Sequence, residues 1–111
     1  MTDAIDLSLL RQATADDPEA LEKLVQVSRR AILTQTSQVI AALEGGDFQT
    51  ISQTAHKMTG SAGIVGAKEL AAICASIEEA GRSADAAGLS SLQTQFTSAV
   101  ARVNAAFEAV G

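Results

Sequence analysis

Apolar residues recur along this chain at helical spacings, and polar or glycine breaks divide them into five runs. The opening, Met1 to Ala4, is expected to be loose. Asp6 then caps a short helix through Leu7, Leu9 and Leu10, which should lie across one end of the molecule. Asp17 takes a second cap position, Pro18 the first helical position, and Glu19 favours the positive end of the dipole. Leu21, Leu24, Val25, Ser28, Ala31, Ile32, Val39 and Leu43 mark a long amphipathic helix, interrupted by the polar stretch Thr34 to Gln38 and ended by Gly45-Gly46. Asp47 caps the next, where Phe48, Ile51, Ala55, Met58, Ala62 and Val65 form a narrow seam that stops near Gly66. Leu70, Ile73, Cys74 and Ile77 point inward from a fourth helix, closed by Gly81 to Ala84. Asp85 caps the last, whose stripe is Leu89, Leu92, Phe96, Val100, Val103, Phe107 and Val110; Gly88 is a weak spot in its first turn. Short connections make sequential helices antiparallel neighbours. The pattern predicts an all-α fold, an up-down-up-down four-helix bundle with a short additional N-terminal helix. It forms a single domain over 1–111, with the bundle core about 18–110.

Composition agrees. A chain of 111 residues is one domain by length, and with 3% aromatic residues its core must be filled by aliphatic side chains. The net charge is −5 and the basic residues are scattered, Arg29-Arg30 being the one adjacent pair, so nucleic-acid binding is not expected. No run is long and apolar enough to span a membrane, and Met1 to Asp6 lack the start of a signal peptide. Cytoplasmic residence is the expectation, Met1 suggests an intact start, and the single Cys74 permits no internal disulfide.

The chemistry concentrates around His56, the only histidine. It lies one step off the seam of Ala55, Met58 and Ala62. Gln49, Ser52, Thr59, Gly60 and Gly63 share its face, and none is a large apolar residue, so this face should meet solvent. Glycine inside a helix costs about 0.5–1 kcal/mol relative to alanine. Two of them on the histidine's side suggest room for close approach by another molecule, or else tight contact with a neighbouring helix. One histidine and one cysteine make a metal site improbable, and a flat face offers little pocket for a hydrolytic triad. A nucleophile that accepts a group from a partner remains. Phosphoryl is the natural group, because a cation nearby, Lys57 or else Lys68, would favour the dianion.

The run Ala55-His56-Lys57-Met58-Thr59-Gly60-Ser61-Ala62, continued by Gly63-Ile64-Val65-Gly66-Ala67 and then Leu70, Cys74 and Ile77-Glu78, resembles histidine-containing phosphotransfer domains. The upstream Leu43-Glu44-Gly45-Gly46-Asp47 shares in the likeness, which is strong over roughly Leu21 to Arg82 and otherwise rests on helix pattern. The resemblance implies a bundle in which His56 is the phosphoacceptor, relaying the group to and from the aspartate of receiver domains in a multistep phosphorelay. Gly60 gives the receiver room, and Ser61 and Gly63 belong to the motif. Lys57, Thr59, Gly60, Ser52 and Gly63 are the candidate contacts to phosphate or partner. The implied partners are response-regulator receiver domains and a hybrid or sensor histidine kinase. The chain would bind no cofactor and no metal of its own, the Mg²⁺ belonging to the receiver. It would act as a monomeric phosphoryl carrier and not as an enzyme with a nucleotide site. The family often has a lysine three residues after the histidine, where this chain has Thr59. Lys57 points about 100° away, so either it reaches round on its long stem or the phosphoryl is held less firmly.

Other readings stay beside this one. The same face could dock a receiver or kinase without carrying phosphate, or the bundle could be purely structural. A histidine-kinase dimerisation hairpin fits less well, since it precedes an ATP-binding domain. Cys74 reads as core, Gly66 as a helix stop, and Arg29-Arg30 as a solvated face. Glu78 and Glu79 read as surface residues or helix–helix partners.

Overall fold

The computed structural model describes residues 4–110. They form α1 (Ser8–Ala13), α2 (Pro18–Gly45), α3 (Phe48–Ile64), α4 (Lys68–Arg82) and α5 (Ala86–Val110). Helices α2 to α5 make the expected up-down-up-down bundle. The α3–α4 pair has the most extensive contact, α2 lies against α3, α5 lies against α4, and α1 meets α2. The expectation of a loose opening falls mostly outside the described residues. Ala4 itself is half-buried and packs on the core.

The seams read from the pattern are largely the core. Ile32 and Val39 of α2, Ile51, Ala55, Met58 and Ala62 of α3, Leu70, Cys74 and Ile77 of α4, and Phe96, Val103 and Phe107 of α5 are all at most 2% exposed. Burying side chains of this size contributes roughly 1.5–3 kcal/mol each for the larger aliphatic and aromatic ones. Several expectations need correction. Leu9 is 54% exposed, because a helix of six residues presents one side only, and Ile5, Leu7 and Leu10 fill that side. Val110, the last residue of α5, is 53% exposed. Leu21, Leu24, Val25 and Ser28 at the start of α2 are only half-buried.

The helix starts follow the capping residues. The Asp17 carboxylate accepts from Glu19 N at 3.1 Å, Asp47 from Gln49 N at 3.2 Å, and Asp85 from Gly88 N at 2.9 Å. Asp6 works one residue earlier than expected. Leu7 holds the cap position of α1, and Asp6 Oδ1 accepts from Ser8 N and Ser8 Oγ.

The helix stops are less obvious in the sequence. At the end of α3, Ala67 N donates to Ala62 O and Gly66 N to Gly63 O, with Gly66 at φ 65°. This is the paired hydrogen-bond pattern of a Schellman stop. The same pair recurs after α4, from Asp85 N to Ala80 O and Ala84 N to Gly81 O. There the left-handed residue is Ala84, at φ 53°, and not a glycine. Gly81, expected to help close α4, lies inside the helix and is buried against α3.

Candidate functional site

His56 stands on the solvent side of α3, placed there by the seam beneath it. Its side chain is 73% exposed, while Ala55 and Met58 on either side of it in sequence are fully buried. Nδ1 of its ring lies 3.1 Å from Glu78 Oε2 on α4. A carboxylate has no proton to give, so the imidazole donates, and the ring proton belongs on Nδ1. Nε2 is then left with a free lone pair facing outward.

Among the described residues Glu78 is the buried charged one, its side chain only 12% exposed. A buried carboxylate requires compensation. Arg82, one turn further along α4, supplies it, with Nη2 at 2.5 Å from the same Oε2. His56, Glu78 and Arg82 therefore share one oxygen atom, across two helices. The Arg82 side chain remains 62% exposed, and a guanidinium has further N–H groups with which to meet an anion.

Sequence reasoning missed Glu78 and Arg82 as site residues. A signal was present. Leu70, Cys74 and Glu78 follow one another at four-residue steps, which sets a carboxylate on the inward stripe of α4. Arg82 follows at the next such step.

The expected residues are distributed unevenly around His56. Gly60 and Gly63 are exposed, and a Cβ at either would meet nothing within 4 Å. Neither glycine therefore serves a contact with a neighbouring helix, and the face one turn beyond the imidazole is bare. Thr59 is half-buried, and its hydroxyl donates to Ala55 O at 2.9 Å, so its proton is committed to its own helix. Ser52 is half-buried too. Its Oγ donates to Gln49 O, and its backbone lies against Gly81. Lys57 is exposed and lines the shallow grooves between α3 and α2, with Gln38, Gln53 and Thr54 in one and Arg30 and Thr34 in the other. Those grooves lie on the side of α3 away from Glu78. Lys68 is not part of the site. It begins α4, ten residues or about 15 Å before Glu78, and lines a hollow with Asp6 and Arg11.

The one cysteine is not poised as a nucleophile. Burial pushes the Cys74 thiol up to about 12, which keeps it protonated. Among the described residues no cluster of three His, Cys, Asp or Glu side chains could hold a metal ion. No described helix is long and apolar enough to cross a membrane.

Comparison with known proteins fits this arrangement. The crystal structure of histidine-containing phosphotransfer protein B (HptB) from Pseudomonas aeruginosa PAO1 superposes with a TM-score of 0.84. The match covers 97% of this chain and 94% of that one, at 24% identity, and so establishes the shared fold. No curated protein matches in sequence. The sequence model of the Hpt domain matches residues 4–106, which takes in all of α1 to α4 and most of α5, His56 and its Glu78 partner included. An exposed helical histidine, held by a carboxylate from the adjacent helix of a four-helix bundle, thus sits in a chain that belongs to the Hpt domain family.

Proposed function

We propose that His56 carries the phosphoryl group of a phosphorelay on its Nε2 atom, with Glu78 and Arg82 as the residues that prepare and hold it. The phosphorelay role comes with the family. The observation that supports this assignment of atoms is the single Glu78 oxygen shared by His56 Nδ1 and Arg82 Nη2.

The step balances as follows. The Nε2 lone pair attacks the phosphorus of a receiver's aspartyl phosphate. The N–P bond forms, the P–O bond to the aspartate breaks, and the aspartate leaves as a carboxylate. The imidazole keeps its Nδ1 proton and gains positive charge. Glu78, already accepting that proton, stabilises the charge as it develops. Arg82 offsets Glu78 and turns its free N–H groups to the phosphoryl oxygens, the part that a lysine at the position of Thr59 would otherwise play. The reverse sequence returns the group to a receiver.

The chain supplies a positioned nucleophile and the receiver supplies the rest, including its Mg²⁺. Gly60 and Gly63 leave the approach clear, and Lys57 borders it on the α2 side. On this reading the protein is a monomeric cytoplasmic carrier without a nucleotide site. It serves response-regulator receivers and a hybrid or sensor histidine kinase.

The test is transfer from a phosphorylated receiver to the wild-type protein and to His56→Gln. Acid-labile, base-stable label on the first and none on the second is expected, with the same helical circular dichroism spectrum for both. Unfolding of His56→Gln would contradict the exposed placement of the ring. Binding of the receiver without label on the wild-type protein would favour a docking module instead.

A further inference from the structure

Gly81 is buried in α4, three residues beyond Glu78 and facing α3. A Cβ at this position would meet Phe48 O at 3.0 Å, Ser52 N at 3.1 Å and Ser52 Cβ at 3.2 Å. Two of these are backbone atoms, which no change of rotamer can move. Ser52 lies one turn before His56 on α3. Because the two helices run antiparallel, this close contact sits about one turn from the His56–Glu78 hydrogen bond along both. Alanine is the better helix former, so α4 alone gives no reason for glycine here.

We infer that Gly81 is a positioning residue for His56. Its missing side chain sets the α3–α4 spacing at which the Glu78 carboxylate reaches Nδ1. That hydrogen bond, at 3.1 Å, is already near the long end of the N–H···O range. Glu78 Oε2 is also held from the other side by Arg82, so it has little freedom to follow α3 outward. A methyl group at Gly81 requires the Phe48–Ser52 backbone of α3 to give by a few tenths of an ångström, and a displacement of that size carries a 3.1 Å contact past the hydrogen-bond range. The imidazole then loses the bond that keeps its proton on Nδ1, and Nε2 is no longer reliably free. The consequence for transfer rests on the phosphoryl-carrier reading of His56; the consequence for the ring does not.

The experiment reads the ring directly. Nitrogen-15 NMR of His56 in the wild-type protein, at a pH where the ring is neutral, is expected to show the Nδ1–H tautomer. Gly81→Ala is expected to shift those resonances toward a tautomer mixture. It should also lower the maximal rate of phosphoryl acceptance by about tenfold, leaving the receiver concentration at half-maximal rate unchanged. Val103→Ala, a core truncation on α5, serves as the control for destabilisation alone and should keep the wild-type ring signals and rate. Both variants are also made with Ala84→Gly, which relieves the left-handed strain at the end of α4. Unaltered ring signals in folded Gly81→Ala would overturn the inference. So would failure to fold in both backgrounds, which would assign Gly81 to the fold alone. A tautomer shift in Gly81→Ala with no label on the wild-type protein would uphold the positioning and overturn the carrier reading.

Discussion

In the proposed carrier, the outward nitrogen of His56 is the one left to react because the inward one is occupied. Glu78 Oε2 accepts from Nδ1 at 3.1 Å, and the same oxygen is bound by Arg82. A hydrogen bond to a charged group is worth about 1.5–3 kcal/mol, or roughly tenfold or more in rate when the charge develops in the transition state. Glu78→Ala is therefore expected to slow phosphoryl acceptance by at least about tenfold, measured in single-turnover transfer from a phosphorylated receiver. Glu78→Gln keeps an acceptor oxygen for Nδ1–H and should lose less. Equal rates for all three proteins would remove Glu78 from the chemistry. At Gly60 the prediction separates docking from folding. The position is exposed and bare, so Gly60→Gln is expected to leave the melting temperature equal or slightly raised, glycine being a poor helix former. It should weaken receiver binding in a titration by a large factor. Unchanged affinity would show that the partner does not approach over this turn.

At the scale of the helices, the starts capped by aspartate and the stops at Gly46 and Gly66 were legible, and the stop at Ala84 was not. Asp17-Pro18-Glu19, Asp47 and Asp85 announce their helices because a cap is a local bond from a side chain to the next turn. Gly66 was legible for the same kind of reason, being a glycine in a left-handed position. Ala84 was not, because the paired hydrogen bonds that end α4 force an alanine into that conformation. Gly81 drew attention as a terminator when its role is to let α4 approach α3, a tertiary contact that one-dimensional spacing does not carry. Glu78 was hidden likewise, since its burial depends on which side of α4 meets α3. Left-handed backbone costs an alanine roughly 1 kcal/mol or more relative to glycine. Ala84→Gly should accordingly stabilise the protein by about 0.5–1 kcal/mol, seen as a higher urea midpoint at unchanged slope. A lower midpoint would contradict the strain. At α1, the hydrogen bonds from the Ser8 hydroxyl and then from Ser8 N hold the Asp6 carboxyl below the usual carboxylate range. A depressed folded-state value means stability present above the ordinary value and lost as pH falls through the folded one. Asp6→Asn should flatten the acid limb of the melting temperature against pH, and an identical limb would show that these bonds contribute nothing.

For the whole molecule, shape and site are linked. The bundle measures 44 × 26 × 18 Å, and its candidate site is an open helix face backed by a fully packed seam. His56 stands on that open face, so in the proposed transfer the chemistry is completed by the surface that covers it. The apolar pattern made the fold and the exposure of His56 readable, because both follow from which residues must be buried. The three-residue arrangement at Glu78 required the packing of two helices and emerged only with it. In the proposed transfer the phosphoryl group resides on Nε2 of His56. This placement is tested most directly by phosphorus-31 and nitrogen-15 NMR of the protein after reaction with a phosphorylated receiver. A phosphoramidate signal coupled to Nε2 of His56, absent from His56→Gln, is expected. Phosphate coupled to Nδ1, or found on any other residue, would contradict it.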